Sequence, residues 1–259
     1  MTTLWSGLAV GALYALVALG YNVVFLAAGT FNFAQAGLLM LGVFLTYWGL
    51  ATAGLPSLVV ILLAMAAPAG AALVIERVAA RPSTDQRVHL VTTIGAATIL
   101  TGLAERIWGA DPLAVPALAG DGSHRLLGGV VTTVELTMLA LVVALASALA
   151  VASRRTMIGL AALAVSEDPE AARGRGINTR LYSLGGFVLA GAIAGMAGAV
   201  AGPKTFAFTG LAAAPALQGF VAMALGGYGS IGGGLAAGLV VGVTEAQDEL
   251  HRAASTARW

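Results

Sequence analysis

Residues 4–29 read LWSGLAVGALYALVALGYNVVFLAAG, an unbroken run of 26 positions with no charged side chain. A helix rising 1.5 Å per residue needs about 20 apolar residues to cross a hydrocarbon core about 30 Å thick, so this run is long enough to span a bilayer. The absence of charge extends outward, since residues 1–75 contain no Asp, Glu, Lys or Arg. Further apolar blocks lie at 36–53, 55–75, 90–108, 126–152, 181–202 and 216–246. Over all 259 residues 59% are hydrophobic and 10% charged, where soluble domains carry about 25% charged residues. The pattern predicts an all-α, polytopic transmembrane helical bundle of about 7–8 spans, some of them broken or re-entrant.

The first block lacks a basic stretch before it and is longer than a secretory h-region, so it is expected to be a retained span and not a signal peptide. The intervening loops are too short to fold separately, which predicts one membrane domain over 1–259. Cys is absent, excluding disulfides, iron–sulfur ligation and thiol chemistry. A net charge of +1 gives no sign of nucleic-acid binding.

Arginine placement sets the expected orientation. Segment 153–180 carries Arg154, Arg155, Arg173, Arg175 and Arg180, and segment 76–87 carries Arg77, Arg81 and Arg87. Segment 109–125 holds only Arg125, and 203–215 only Lys204. Short loops rich in Lys and Arg stay cytoplasmic, and two spans separate the two basic loops, so both fall on one side. Trp5, Tyr47, Trp48 and Trp108 are then expected near the outer interface, where amphipathic rings collect.

Glycine recurs at four-residue spacing, as in Gly7/Gly11, Gly191/Gly195, Gly198/Gly202, Gly234/Gly238 and Gly238/Gly242. With little hydrophobic drive between helices in lipid, small residues gain contact by letting backbones approach. The reading favoured here is tight bundle packing without dimer specificity. Two stretches interrupt the apolar pattern: Gly29-Thr-Phe-Asn-Phe-Ala-Gln35, and Gly226-Gly-Tyr-Gly-Ser-Ile-Gly-Gly-Gly234. The first reads either as an interhelical turn or as a broken helix, and the second either as a tight hairpin or as an element of a transport path. The path reading selects Asn32, Phe33, Gln35, Gly227, Gly229 and Ser230.

Between two apolar runs lies a polar island, Ser166–Arg180, SEDPEAARGRGINTR, with three acids and three arginines. Asp168 suits an N-cap, because its carboxylate can accept from first-turn amides. Pro169 suits the next position. Glu170 early and Arg173 and Arg175 late both complement the helix dipole. Gly176 fits the left-handed residue beyond the C-terminus, and Asn178 or Thr179 is placed to cap the following span. The island thus specifies a helix of about two turns with both ends marked, read as a cytoplasmic docking helix, with a solvated, partnerless helical turn as the alternative.

No energy source is visible in the chain itself. The string from Gly198 to Thr205 approaches a phosphate-binding loop, but Pro203 separates Gly202 from Lys204 and spoils the spacing. No metal-ligand cluster or nucleophile–base pair is apparent, and His89, His124 and His251 stand apart, so no enzymatic activity and no cofactor is expected. Glu135 falls near a span's outer end and is read as structural.

Several of these strings together resemble a known family, the permease subunits of branched-chain amino-acid ABC importers. They are Gly11-Ala-Leu-Tyr-Ala-Leu-Val-Ala-Leu-Gly20, Phe31-Asn-Phe-Ala-Gln35, Glu76-Arg-Val-Ala-Ala-Arg-Pro82, Glu167-Asp-Pro-Glu-Ala-Ala172 with Gly176-Ile-Asn178, Leu225-Gly-Gly-Tyr-Gly-Ser-Ile-Gly232 and the run to Glu245-Ala246. The resemblance covers nearly the whole chain in family order. It implies an importer in a bacterial cytoplasmic (inner) membrane, in which two permease subunits, alike or different, form the path for a branched-chain amino acid or similar small polar solute. A binding protein outside the cytoplasm would deliver the solute. Two ATPase subunits would bind and hydrolyse ATP and grip a coupling helix on each permease. By resemblance Glu167, Asp168, Pro169, Glu170, Ala171, Ala172, Gly176 and Asn178 fall in that coupling segment, with Arg173 inside it. Two departures stand out. Ala36 precedes Gly37 where the family has Gly directly, and the polar stretch Gln247–Trp259 stands where family members continue into a further span. That implies either a protein that dispenses with the helix or a truncated chain. The competing class is a secondary transporter or channel, which would not need the capped helix and would more often show a buried ionisable pair.

Overall fold

The computed structural model describes residues 2–80, 86–118, 120, 122–126 and 128–256. Arg81 and Pro82, quoted above for the family resemblance, lie outside the described residues. Seven helices among the described residues are long and apolar enough to cross a membrane: Thr2–Ala28, Gln35–Thr52, Ser57–Ala80, Arg87–Trp108, Thr133–Arg155, Thr179–Thr205 and Thr209–Gly226.

Helix α1 (Thr2–Ala28) is the hub and is buried along most of its length. It stops at Gly29, whose φ of 65° lies in the left-handed region. After a short turn α2 (Gln35–Tyr47) leads into a π-helical turn, Trp48–Thr52. Helix α3 (Ser57–Ile75) likewise ends in a π turn, Glu76–Ala80, and α4 (Gln86–Trp108) follows.

The block at 126–152 begins differently from expectation. Strands β1 (Ser123–Leu126) and β2 (Gly129–Thr132) pair antiparallel from Ser123↔Thr132 to Leu126↔Gly129. The turn between them uses Gly128 at φ 74°, and β-branched Val130, Val131 and Thr132 suit the extended backbone. Helix α5 therefore starts only at Thr133 and runs to Arg155. Its start is a capping box: the Thr132 hydroxyl accepts from the Glu135 amide at 3.2 Å, and the Thr132 amide donates to the Glu135 carboxylate at 2.9 Å.

Helices α6 (Met157–Glu167) and α7 (Pro169–Gly174) form the Arg-rich connection to α8 (Thr179–Thr205). A 3₁₀ turn, Thr209–Ala212, opens α9 (Ala213–Gly226), and α10 (Ile231–Thr256) closes the described chain. The apolar block 216–246 is thus two helices, folded back at the second glycine-rich interruption.

Glycine permits the packing around α1. Helix α10 runs antiparallel to it, with Gly7 against Ala246, Gly11 against Leu239 and Gly238 against Ala15. A methyl group on Gly238 would lie 2.6 Å from the Ala15 amide nitrogen, so the backbones touch with no side chain between them. Helix α8 uses the same device against α2 and α3. Pro68, inside α3, lacks the N–H that would bond the Ala64 carbonyl, and Gly195 of α8 packs directly onto that carbonyl.

The contacts sort the molecule into two ends. At one, Lys204 pairs with Glu135 and donates to Ser6 Oγ at 3.1 Å, joining α8, α5 and α1. The Phe44 and Trp108 rings stack there with centroids 5.0 Å apart, and Leu113 bridges to Ala207. At the other end gather Ala28, Glu76, His89 and the segment Val165–Ser183. The two Arg-rich segments thus share an end, as orientation counting required. His89, read as isolated, bonds Thr30 Oγ1 at 2.9 Å.

Replacing Gly238 by Ala is expected to destabilise the fold by about 1–3 kcal/mol through overpacking. Gly232→Ala is the control, since no atom lies within 4 Å of the added methyl. Thermal unfolding in detergent should separate the two variants.

Candidate functional site

The polar island folds as its caps require. Asp168 Oδ1 accepts from the Glu170 amide at 3.0 Å and the Ala171 amide at 2.9 Å, and Pro169 occupies the first helical position. Helix α7 ends at Gly174, and Gly176 takes φ 84°. The Ile177 amide then returns to the Ala172 carbonyl at 3.1 Å, closing the C-terminus. Asn178, not Thr179, caps α8, its Oδ1 accepting from the Leu181 amide at 3.3 Å. Only four residues separate the end of α7 from the start of α8, and all four are held by bonds to one helix or the other.

Glu167, Asp168, Glu170, Ala171, Arg173, Gly176 and Asn178 are exposed, Pro169 is half-buried and Ala172 is buried. Ala172 therefore anchors α7 to the bundle, while Glu170 and Ala171 face outward. Beneath α7 opens a cleft of about 870 Å³, whose walls include Glu76, His89, Glu170, Arg173, Asn178 and Arg180. Helix α6, which leads into α7, was not anticipated. Its start is signalled only by Thr156, whose hydroxyl accepts from the Gly159 amide at 3.0 Å.

The six candidate path residues lie at the same end. The stretch 29–35 forms the turn between α1 and α2. In it Asn32 Oδ1 accepts from the Ala34 amide at 3.1 Å, and the Asn32 carbonyl accepts from the Gln35 amide at 3.1 Å. Both side chains are fully buried. Gln35 lies against Gly20, where any Cβ would collide with its carboxamide, and donates to the Ala190 carbonyl of α8 at 3.0 Å. Asn32 Nδ2 and Gln35 Oε1 have no partner.

The second interruption is a tight turn with Gly227 at φ 91° and Gly229 at φ 76°. Ser230 starts α10, its Oγ accepting from the Gly233 amide at 3.1 Å. The two interruptions meet through aromatic rings. Phe31 lies 5.5 Å from Tyr228 and stacks on Phe25 at 5.4 Å, and Phe33 lies 5.2 Å from Phe220. Tyr21 closes the group against Phe33 and Phe220.

Asn22 is the residue that sequence reasoning missed. Fully buried in α1, it accepts from the Gly229 amide at 2.8 Å and donates to the Ser230 carbonyl at 3.3 Å. One carboxamide thus satisfies two backbone groups of a turn whose glycines are half-buried, as apolar surroundings demand. A lone Asn inside a run otherwise free of amide and charged side chains was the available signal.

The family described as "Branched-chain amino acid transport system / permease component" matches residues 3–253. The chain is 29% identical over 260 residues to the high-affinity branched-chain amino acid transport system permease protein LivH of Salmonella typhimurium (strain LT2), covering 94% of this chain and 84% of the relative. The Escherichia coli K12 protein of that name is 29% identical over 266 residues, with the same coverage. The permease protein BraD of Pseudomonas aeruginosa is 30% identical over 258 residues, covering 93% and 83%. No solved structure matches the chain significantly.

Asn22→Leu is expected to cost about 1 kcal/mol, because it strands the part-buried Gly229 amide and Ser230 carbonyl. It should also raise the rate at which a thiol introduced as Tyr228→Cys is alkylated. An unaltered melting temperature together with an unaltered labelling rate would contradict the clamp.

Proposed function

Because the chain belongs to the family of permease components of branched-chain amino acid transport systems, we propose that it is the membrane-spanning subunit of an ATP-driven importer. The substrate is a branched-chain amino acid or a similar small polar solute. Partner ATPases bind and hydrolyse the ATP, a second permease subunit, alike or different, completes the path, and a binding protein outside the cytoplasm supplies the solute. The membrane is the bacterial cytoplasmic membrane, with the Arg-rich end inside, as the positive-inside rule requires.

The observation that carries this reading is the exposed, doubly capped helix α7 joined through four bonded residues to the 27-residue helix α8. Capping costs a protein specific side chains, and it matters most where a short helix must hold its shape under load. A push on Glu170 and Ala171 by a closing ATPase passes through Asn178 into α8. Close glycine contacts then pass it to α2 and α3, since Gly198 packs on Leu39 and Gly191 on Pro68.

The path assignment rests on the aromatic junction. Asn32, Phe33, Gln35, Gly227, Gly229 and Ser230 belong to the two interruptions of helical regularity, which meet through their rings, and discontinuous helices are elements from which transporters form sites. The unpartnered Asn32 Nδ2 and Gln35 Oε1 are groups that another conformation, or a polar solute, can satisfy.

Three outcomes test these assignments. Glu170→Arg combined with Gly176→Pro should abolish ATP-driven uptake while membrane insertion stays normal, and normal uptake would remove α7 from the coupling role. Asn32→Leu and Gln35→Leu should each lower uptake without loosening ATPase association. Because the chain has no Cys, a single Ala171→Cys should crosslink to the ATPase and Ala110→Cys, exposed in the 109–125 segment, should not. Crosslinking of both or of neither would count against the proposed orientation and partnership.

A further inference from the structure

Glu76 is the least expected side chain in the bundle. It sits where α3 passes into its π turn and is only 3% exposed. Its Oε1 accepts from Ser183 Oγ of α8 at 3.2 Å, while Oε2 is buried with no partner. A carboxylate held this way is costly unless a cation meets it, and ionisable groups inside membrane bundles are retained for function.

The cations within reach line the same cleft, and one is already tethered nearby. Arg173 of α7 donates from Nε to Thr179 Oγ1 of α8 at 2.9 Å. That uses one of five guanidinium donors and leaves four. Thr179 and Ser183 are four residues apart on α8, so they sit on one face, about one turn or about 6 Å apart along the axis. Ser183 holds Glu76 and Thr179 holds Arg173. The polar line Arg173–Thr179–Ser183–Glu76 therefore runs from the exposed coupling helix to a buried acid, with its vacant acceptor one turn below the present seat of the guanidinium.

We infer that Glu76 is the second seat of the Arg173 guanidinium, taken when α7 is pressed onto the cleft between α8 and α3. The inference rests on α7 being the element the ATPase moves. In the structure described here Arg173 is bonded at the upper position. Inward displacement exchanges the Thr179 hydroxyl for the Glu76 carboxylate, a charge-assisted bond that is stronger than the one lost. The exchange ties α7 to α3 as well as to α8, so both helices follow the coupling helix. Glu76 acts here as a positioning residue, with no contact to the solute or nucleotide. Arg180 lies one turn before Ser183 on the same helix and lines the cleft too. His89, the other basic group there, is bonded to Thr30.

The test uses the full transporter in membrane vesicles, with the chain, its ATPases and its binding protein, and radiolabelled leucine as probe. Glu76→Gln, which preserves shape, and Glu76→Arg should each reduce uptake about tenfold or more, as should Arg173→Glu. The charge exchange Glu76→Arg with Arg173→Glu should restore uptake to within about threefold of the parent. A purely structural Glu76 would not show that rescue. In the Cys-free chain, a Glu76→Cys, Arg173→Cys pair should be joined by a bifunctional thiol-alkylating reagent of about 8 Å span, roughly tenfold faster with ATP and vanadate than without nucleotide, because the paired side chains hold the backbones further apart than a disulfide reaches. That readout does not depend on the solute. Parent-like uptake by Glu76→Gln would overturn the inference, as would rescue by Arg180→Glu in place of Arg173→Glu, or crosslinking indifferent to nucleotide. If Glu170→Arg with Gly176→Pro also leaves uptake untouched, the coupling role of α7 falls; if that variant is inactive, only the Glu76 seat falls.

Discussion

Backbone-to-backbone contact between helices is the interaction on which the rest of this structure depends. Lipid tails are as apolar as leucine, so helices gain nothing by merely hiding hydrophobic side chains from them. They gain from dispersion contacts that need close approach. Here α1 touches α10 through Gly7, Gly11, Gly238 and Gly242, and α8 touches α2 and α3 through Gly191, Gly195 and Gly198. At several of these sites a single methyl would collide with main-chain atoms of the neighbour. The arrangement leaves little freedom for individual helices to slide, so motion is expected in groups of helices and at the places where regularity stops.

Three of those places share one end of the molecule, and each has its polar groups handled differently. The glycine turn at 227–230 is satisfied by a side chain from another helix, Asn22. The turn at 29–35 satisfies itself through Asn32 and leaves two side-chain atoms over. The Arg-rich connection solves the problem with caps at both ends of α7 and at the start of α8. Rings from four segments, including Phe25, Phe31, Phe220 and Tyr228, fill the space between the two turns. The apolar filling accounts for how so much irregular backbone is tolerated within a bilayer-sized bundle.

Much of this was legible in the sequence because it is written in local terms. Charge-free runs of bilayer length marked the spans, and Asp168, Pro169 and Gly176 each took the cap position their chemistry favours. The sharing of one end by both Arg-rich segments followed from counting spans. Long-range pairings were not legible. Nothing local to Asn22 announces a glycine turn some two hundred residues away, and nothing near Glu76 names Ser183. The hairpin before α5 was hidden because Val130 and Val131 continue an apolar run, and hydropathy does not distinguish a short extended pair from the first turn of a span. Pairing with β1 decided that segment. Glu135 was read as structural, and its capping box bears that out, while its ion pair with Lys204 again joins residues distant in sequence.

That ion pair has a mechanical side. Lys204 near the far terminus of α8 is bonded to both α5 and α1, whereas the near terminus of α8 emerges from an exposed connection. A rod pinned at one extremity, and pushed at the other together with the helices packed on it, responds to a sideways force by swinging. With a length of about 40 Å for its 27 residues, a displacement of about 5 Å at the pushed extremity corresponds to a tilt of about 7°. The fastened extremity barely moves in such a swing. The geometry thus makes the Lys204–Glu135–Ser6 knot a fulcrum, with travel greatest at the face where the arginines lie and vanishing at the face opposite.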